Sequence, residues 1–316
     1  MDNNLLTKNY LNQGYIISES LIDEREIFDL RNDLDKEFEE YKDGHSKKLM
    51  DFKNSELIQK IIKIYNSDKI KKIKSELKKI SGTEVSLLPT FEVHKNYHVN
   101  LKEFHGWHRD CGGELVYNYC KKILYKNDYL FSKVGIYLQR NNEYGGCIDL
   151  IKKSHKNFSN LKLILRKVNS IPLKIITLLH KYLNKLYFLI PESFFMFLLR
   201  GKKLNPEKGS AVFFDSRITH RGSPISKKKL KDINYLKGFY RAVLPKKFDK
   251  YSIYCHFGNS EAVDSYMFDR LKRKNNKDEL KIWTEEMKHI SQYDKNFSQE
   301  INSVIEPVIK KYQEYL

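Results

Sequence analysis

The chain has 316 residues, 41% hydrophobic and 13% aromatic, enough apolar surface for a large core and too much for a disordered chain. Its formal charge of +18 invites a polyanion reading, but the 58 basic residues comprise 47 Lys and only 11 Arg, whereas phosphate recognition favours the planar Arg fork, so no nucleic-acid partner is expected. Four scattered cysteines (Cys111, Cys120, Cys147, Cys255) without a CxxC argue against a zinc-thiolate site or a disulfide scaffold, and residues 1–10 lack a signal-peptide core, so a cytoplasmic protein with reduced thiols is expected.

In chain order, Gly14 to Ile22 reads as a glycine turn and a short strand. Asp23 can cap the helix that follows, with Glu26 three residues on as in a capping box. Ile27, Leu30, Leu34 and Phe38 then recur at helical spacing, predicting a helix to about Tyr41. A second helical region is expected from Ser55 to Ile80, with Leu57, Ile61 and Ile64 as its apolar stripe and Gly82 as its end.

From Val85 the pattern changes to short strands divided by Gly, Asn, Asp and Pro: Leu87–Glu92, Lys133–Gln139, Cys147–Ile151, Ala211–Phe214 and Tyr251–Phe257. Strands so punctuated suggest a sandwich or barrel, of which the jelly roll is the usual version in enzymes. Helical periodicity returns in Tyr266–Arg273, Glu279–Ile290 and Ile301–Tyr312. The expected architecture is one elaborated domain: a mainly β core (85–151 and 204–258) with an N-terminal helical part (1–84), C-terminal helices (259–316) and a helical insertion (152–203).

That insertion holds 12 Lys/Arg and one acidic residue, Glu192, so it carries more than half of the net charge. Lys174, Lys181, Lys185 and Glu192 break any run long enough to span a bilayer. A basic amphipathic segment reads either as a lid packed on the barrel or as a lid that also touches an anionic membrane, which would put the protein at the inner face of the membrane. Nothing in the sequence fixes the oligomeric state.

Two segments carry chemistry: Trp107-His108-Arg109-Asp110, and the apolar run Ala211–Phe214 leading through a polar turn to His220. In an extended strand, residues at i and i+2 face the same side, so His108 and Asp110 can reach one ion. Two imidazoles and one carboxylate suit Fe(II) and leave three coordination positions open, two for a chelating 2-oxo acid and one for O2. A lone HxD occurs often by chance, and its plain alternative is a surface Asp beside a His.

Together with Gly14-Tyr15-Ile16-Ile17, the segment Tyr144-Gly145-Gly146-Cys147-Ile148-Asp149-Leu150-Ile151-Lys152-Lys153-Ser154-His155 and the lead Gly209–Asp215 into His220, the sequence resembles the phytanoyl-CoA dioxygenase family over nearly its full length. Lys152-Lys153 stands where the family has Pro-Gly. The resemblance implies a double-stranded β-helix (a cupin-like jelly roll) and an Fe(II)/2-oxoglutarate-dependent dioxygenase whose metal ligands are the catalytic set His108, Asp110 and His220. It implies hydroxylation of a C–H bond with release of succinate and CO2, and Asp110 weighs against halogenation, since halogenating relatives lack that carboxylate.

The family binds the distal carboxylate of 2-oxoglutarate with a basic residue, usually Arg, opening the last barrel strand. Here Lys250 stands at that position, with Arg241 as competitor and Arg221 a weaker one; Pro245 just beyond Arg241 disfavours a continued central strand there. Tyr137 lies where the family sets an aromatic against the cosubstrate, although core packing is the plainer reading. His94, His98 and His105 line a pocket or lie in a loop, His155 reads as structural, and His45, His180, His256 and His289 have no constellation around them. The substrate is expected to be lipid-linked, glycan-linked or otherwise amphiphilic. The alternative reading is a catalytically inactive jelly roll that binds a membrane surface or polyanion.

Overall fold

The computed structural model describes residues 3–40, 45–96, 98–100, 108–110, 126, 128–140, 146–156, 196–197, 201–223, 241–243, 250–274 and 277–313. Most of the 152–203 insertion, Trp107, Cys111, Cys120, His105 and the side chains of Arg241 and His98 lie outside the described residues.

Helix α1 (Asn3–Gln13) precedes strand β1 (Tyr15–Ser20) and helix α2 (Glu24–Glu37). Asp23 caps α2 with the expected reciprocal box: its carboxylate accepts from Glu26 N–H at 2.8 Å, and the Glu26 carboxylate accepts from Asp23 N–H at 3.1 Å. Strand β2 (His45–Lys48) follows. The helical region 55–80 is two helices rather than one, α3 (Ser55–Tyr65) and α4 (Asp68–Ser81). The break falls where Asn66, its side-chain amide donating to Asp294 Oδ2 at 3.2 Å, ends one helix and Ser67, with extended dihedrals, begins the next. Gly82 closes α4 in the left-handed conformation.

The expected strand Leu87–Glu92 is also corrected. Strand β3 (Val85–Leu87) stops before Pro89, and β4 (Glu92–Asn96) begins after it, because Pro89 has no N–H for a ladder. The remaining strands are β5 (His98–Asn100), β6 (Phe131–Tyr137), β7 (Ile148–Ile151), β8 (Gly201–Lys203), β9 (Ser210–Asp215), β10 (His220–Gly222), β11 (Arg241–Val243) and β12 (Lys250–Asn259). Helices α5 (Ser260–Lys274), α6 (Lys277–Tyr293) and α7 (Lys295–Tyr312) complete the described chain.

The strands form a double-stranded β-helix. The larger sheet runs β1-β9-β6-β12-β4-β2, with β3 paired to β12; the smaller runs β10-β7-β8 and is extended at its β10 edge by the antiparallel bridge between His108 and His220. The chain leaves the large sheet at β6, visits β7 and β8, returns as β9, crosses to β10 and comes back as β12. All pairings in the two sheets are antiparallel.

Period-two alternation divides the large sheet between two cores. Val134, Ile136, Phe213, Tyr251, Ile253, Cys255 and Phe257 face a core shared with the helices. Tyr137, Val212 and Phe214 face the inside of the roll, against Ile148, Leu150 and Ile218. Phe213 is fully buried, and truncating it to Ala would cost about 3–5 kcal/mol. The inner face is where the sequence departs from an apolar pattern: Lys133, Lys250 and His256 all fall there by register.

Candidate metal centre

His108, Asp110 and His220 meet at the mouth of the roll. One ligand atom from each lies within 4.8 Å of the other two. His108 Nε2 is 3.6 Å from Asp110 Oδ1, and His220 Nε2 is 3.7 Å from Asp110 Oδ2. The two rings approach to 4.3 Å between centroids.

Backbone and second-layer contacts hold this arrangement. His108 and His220 exchange both backbone hydrogen bonds, each at 2.9 Å. Between the ligands, Arg109 turns outward, donating to Thr219 Oγ1 at 2.8 Å and to the Ser154 carbonyl at 3.0 Å. Ser154 Oγ in turn accepts from Thr219 N–H at 2.8 Å. The Ser-His turn therefore braces the strand that carries His220. His155 Nε2 lies 3.2 Å from the Leu11 carbonyl, on the side of α1. In the turn before it Lys153 adopts φ 60°, the left-handed conformation to which a glycine is better suited.

The donor set fits a divalent ion. His220 Nδ1–H donates to the Ile218 carbonyl at 3.1 Å, which leaves Nε2 as the lone pair facing Asp110. Burial pushes His220 down to about 4, outweighing the attraction of Asp110, so the ring is neutral. Burial alone would raise the Asp110 carboxyl, but Lys133, His220, His256 and His108 together hold it below the usual carboxylate range. Its Oδ2 is buried without a hydrogen-bond partner; the Lys133 ammonium, 3.4 Å away, forms an ion pair without hydrogen-bond geometry. A neutral imidazole and an ionised, under-satisfied carboxylate are what a metal needs.

Lys133 and His256 were not singled out by the sequence reading. They face each other across β6 and β12 beside Asp110, so His256 does belong to a constellation. The available signal was a charged residue breaking the buried face of Phe131–Tyr137. Burial lowers the Lys133 ammonium, but Asp110, Tyr254 and Glu92 more than reverse this and raise it. His256 Nδ1 lies in hydrogen-bond contact with Thr90 Oγ1 at 2.9 Å, and burial with Lys133 beside it pushes the ring down to about 3. His94 pairs with Glu92 at 3.1 Å rather than with the triad.

Lys250 opens β12 as expected and points into the roll, 3% exposed. Its stem passes under Gly146, whose φ is 86° and on which a Cβ would fall 2.1 Å from Lys250 Cδ. Among the described residues no carboxylate pairs with its ammonium, and burial, aided by Lys203, pushes it down to about 7. Ser252, two residues on and on the same face, has a buried hydroxyl without a partner. Tyr137 is buried in the inner core and meets Tyr254 edge-on at 6.2 Å. Of the two competitors, Arg241 pairs by its backbone with Asn100 in a separate two-stranded ladder. Arg221, buried on the face of β10 opposite His220, is engaged with Asp149 Oδ2 at 2.8 and 3.0 Å, which removes it as a cosubstrate ligand.

No protein-family model matches the chain, and no curated protein does. Solved structures match over most of its length. HygX from Streptomyces hygroscopicus, with nickel, 2-oxoglutarate and hygromycin B bound, shares 11% identity over 80% of this chain and 86% of its own, at TM-score 0.45. AviO1 from Streptomyces viridochromogenes shares 11% over 82% and 95%, at TM-score 0.43. The non-heme, alpha-ketoglutarate-dependent epimerase SnoN of nogalamycin biosynthesis shares 10% over 82% and 83%, at TM-score 0.40. Likenesses this distant leave the reading of the site to its own geometry.

Proposed function

We propose that the chain is an Fe(II)/2-oxoglutarate-dependent oxygenase that hydroxylates a C–H bond, and that its motif order makes it a member of the phytanoyl-CoA dioxygenase family. The observation that carries the reading is the convergence of two imidazoles and one carboxylate within 4.8 Å at the mouth of a double-stranded β-helix. His108, Asp110 and His220 would hold the metal on one face. Bound there, iron with 2-oxoglutarate and O2 would supply oxidation of the substrate coupled to release of succinate and CO2.

The chain's own part is to bind, orient and exclude water. Lys250 supports the cosubstrate assignment because it is a buried cation with no carboxylate partner among the described residues. His220 and Ser223 are three residues apart along β10 and its continuation, roughly 10 Å in an extended strand, and the Ser223 carbonyl accepts from the Gly146 N–H under which Lys250 passes. A five-carbon dicarboxylate chelating at the triad spans that order of distance to an ammonium. Lys250 would act as a point charge, with the Ser252 hydroxyl available as a second donor. Tyr137 would form an inner wall beside it. Arg241 remains the rival for this role.

Anaerobic titration with Fe(II) and 2-oxoglutarate tests the reading: a weak visible charge-transfer band should grow to one equivalent and be absent in His108→Ala. A protein that binds anionic vesicles but forms no such band would instead be the inactive jelly roll. Among the described residues no helix is long and apolar enough to cross a membrane. Contact of 152–203 with an anionic membrane is a separate proposal, supported by its charge; vesicle flotation should be lost when Lys174, Lys181 and Lys185 are replaced by Glu, and unchanged flotation removes it.

A further inference from the structure

Lys133 reaches the metal centre from the large sheet rather than from a strand that carries a ligand. On β6 it pairs with Phe214 of β9 and with His256 of β12, so the three side chains share the inner face at the mouth of the roll. Phe214 backs His220 there, with 4.7 Å between ring centroids. Lys133 thus stands beside the residue that supports one ligand and in ion-pair contact with another, its Nζ 3.4 Å from Asp110 Oδ2. We propose that Lys133 is a positioning residue of the centre: it holds the Asp110 carboxylate in place and draws charge from it, so that iron bound at the triad is kept ferrous. The inference rests on the metal-centre reading above and adds the residue that sets the oxidation state.

Both partners are placed for this. Asp110 is the one carboxylate in ion-pair contact with Lys133 among the described residues, and nearby Glu92 is taken by His94 at 3.1 Å. The ammonium also lies over the Tyr254 ring, 5.1 Å from its centroid. That ring has room because Gly135, opposite it in the ladder, carries no side chain; a Cβ there would fall 2.8 Å from Tyr254 Cε1. On the other side, His108 is fixed by its rung to His220, whereas Asp110 has no ladder partner among the described residues. Its Oδ2 has no hydrogen bond either. Apart from the two histidines, Lys133 is the group that orients the carboxylate.

The electronic consequence follows from charge and distance. In a half-buried site the effective dielectric is well below that of water, so an ammonium touching a carboxylate competes with a metal for its charge. A ferric ion gains more than a ferrous one from an anionic ligand and loses more to a neighbouring cation. Lys133 therefore favours the ferrous ion, the form from which the proposed reaction starts. Replacing Lys133 isolates this effect, since everything else around the centre is common to both proteins.

Two measurements test it on the iron-loaded full chain: a mediated redox titration, and the position of the charge-transfer band in the anaerobic Fe(II)/2-oxoglutarate complex. Lys133→Met should raise the ferric-to-ferrous ratio at a fixed ambient potential about tenfold or more. The band should move to longer wavelength, because a stronger carboxylate donor makes the ferrous ion richer in electrons. Lys133→Arg, which keeps the charge, should restore both values towards wild type. Lys133→Gln serves in place of Lys133→Met if that variant does not fold. Lys48 lines the same cavity as Asp110 and Lys133 without pairing with Asp110, so Lys48→Met should move both readouts far less. Unchanged potential and band in Lys133→Met overturn the inference. So does an equal shift in Lys133→Arg, or in Lys48→Met, since the contact between this charge and Asp110 would then not be the cause. Absence of the band in the wild type is a different result, and it sinks the metal-centre reading itself.

Discussion

The inner face of the roll holds two lysines, one half-buried and one buried, with opposite fates. Lys133, at the mouth, sits 3.4 Å from Asp110, and neighbouring anions raise its ammonium in spite of burial. Lys250, at the other end of the inner face, has no carboxylate beside it among the described residues and is pushed down to about 7. Burial opposes both charges; the partner makes the difference. A cation already matched is part of the resting site, while an unmatched one is matched when an anion arrives.

The strongest way to break this contrast is to remove a ligand at the mouth. His220→Ala should lower Fe(II) affinity by about a hundredfold or more, read by anaerobic calorimetry, and unchanged affinity would dissolve the centre. Next comes the other end: Lys250→Met should weaken 2-oxoglutarate by roughly ten- to a hundredfold with Fe(II) binding intact. Retained cosubstrate affinity would transfer the role to Arg241. Gly146→Ala, which puts a Cβ onto the Lys250 stem and strains a positive φ, should resemble Lys250→Met and also lower stability by about 1–3 kcal/mol.

pH sharpens the same contrast. A free lysine titrates near 10.4, so between about pH 7 and 10 the unfolded chain keeps a proton at Lys250 that the native protein has lost. The Lys250 contribution to stability therefore rises with pH across that window, and the rise should vanish in Lys250→Met, which below pH 7 should be more stable by on the order of a few kcal/mol. Affinity for the 2-oxoglutarate dianion should fall as pH climbs above about 7, because the cation proposed to receive it is lost. A flat profile from pH 6 to 9 would exclude Lys250 as the receiver. The smallest effect is at the brace: Lys153→Gly relieves a left-handed lysine and should raise stability by about 0.5–1 kcal/mol, seen as a higher denaturation midpoint.

Much of the fold was legible where local chemistry repeats. The Asp23–Glu26 cap, the stripe of α2 and the apolar alternation of β6, β9 and β12 are readable residue by residue. Shorter pieces were not: β2, β8 and β10 have three or four residues and no alternation long enough to register, and α1 has polar residues around most of its circumference. The break at Asn66-Ser67 was hidden because apolar spacing continues across it. At the site, His108, Asp110 and His220 were suggested by ligand type, but their convergence depends on a bridge between residues more than a hundred positions apart. Lys48, Arg270 and Trp283, which line a cavity together with Asp110 and Lys133, could not be read at all, since only the packing of the C-terminal helices against the roll brings them together.

The backbone rung between His108 and His220 has a consequence of its own. The two histidines are tied by a pair of backbone hydrogen bonds at 2.9 Å, and an ion bound at the triad would tie them a second time through their side chains. Loading the ion should therefore slow deuterium uptake at both amides in concert, turning the smallest ladder of the sheet into an occupancy gauge for the centre.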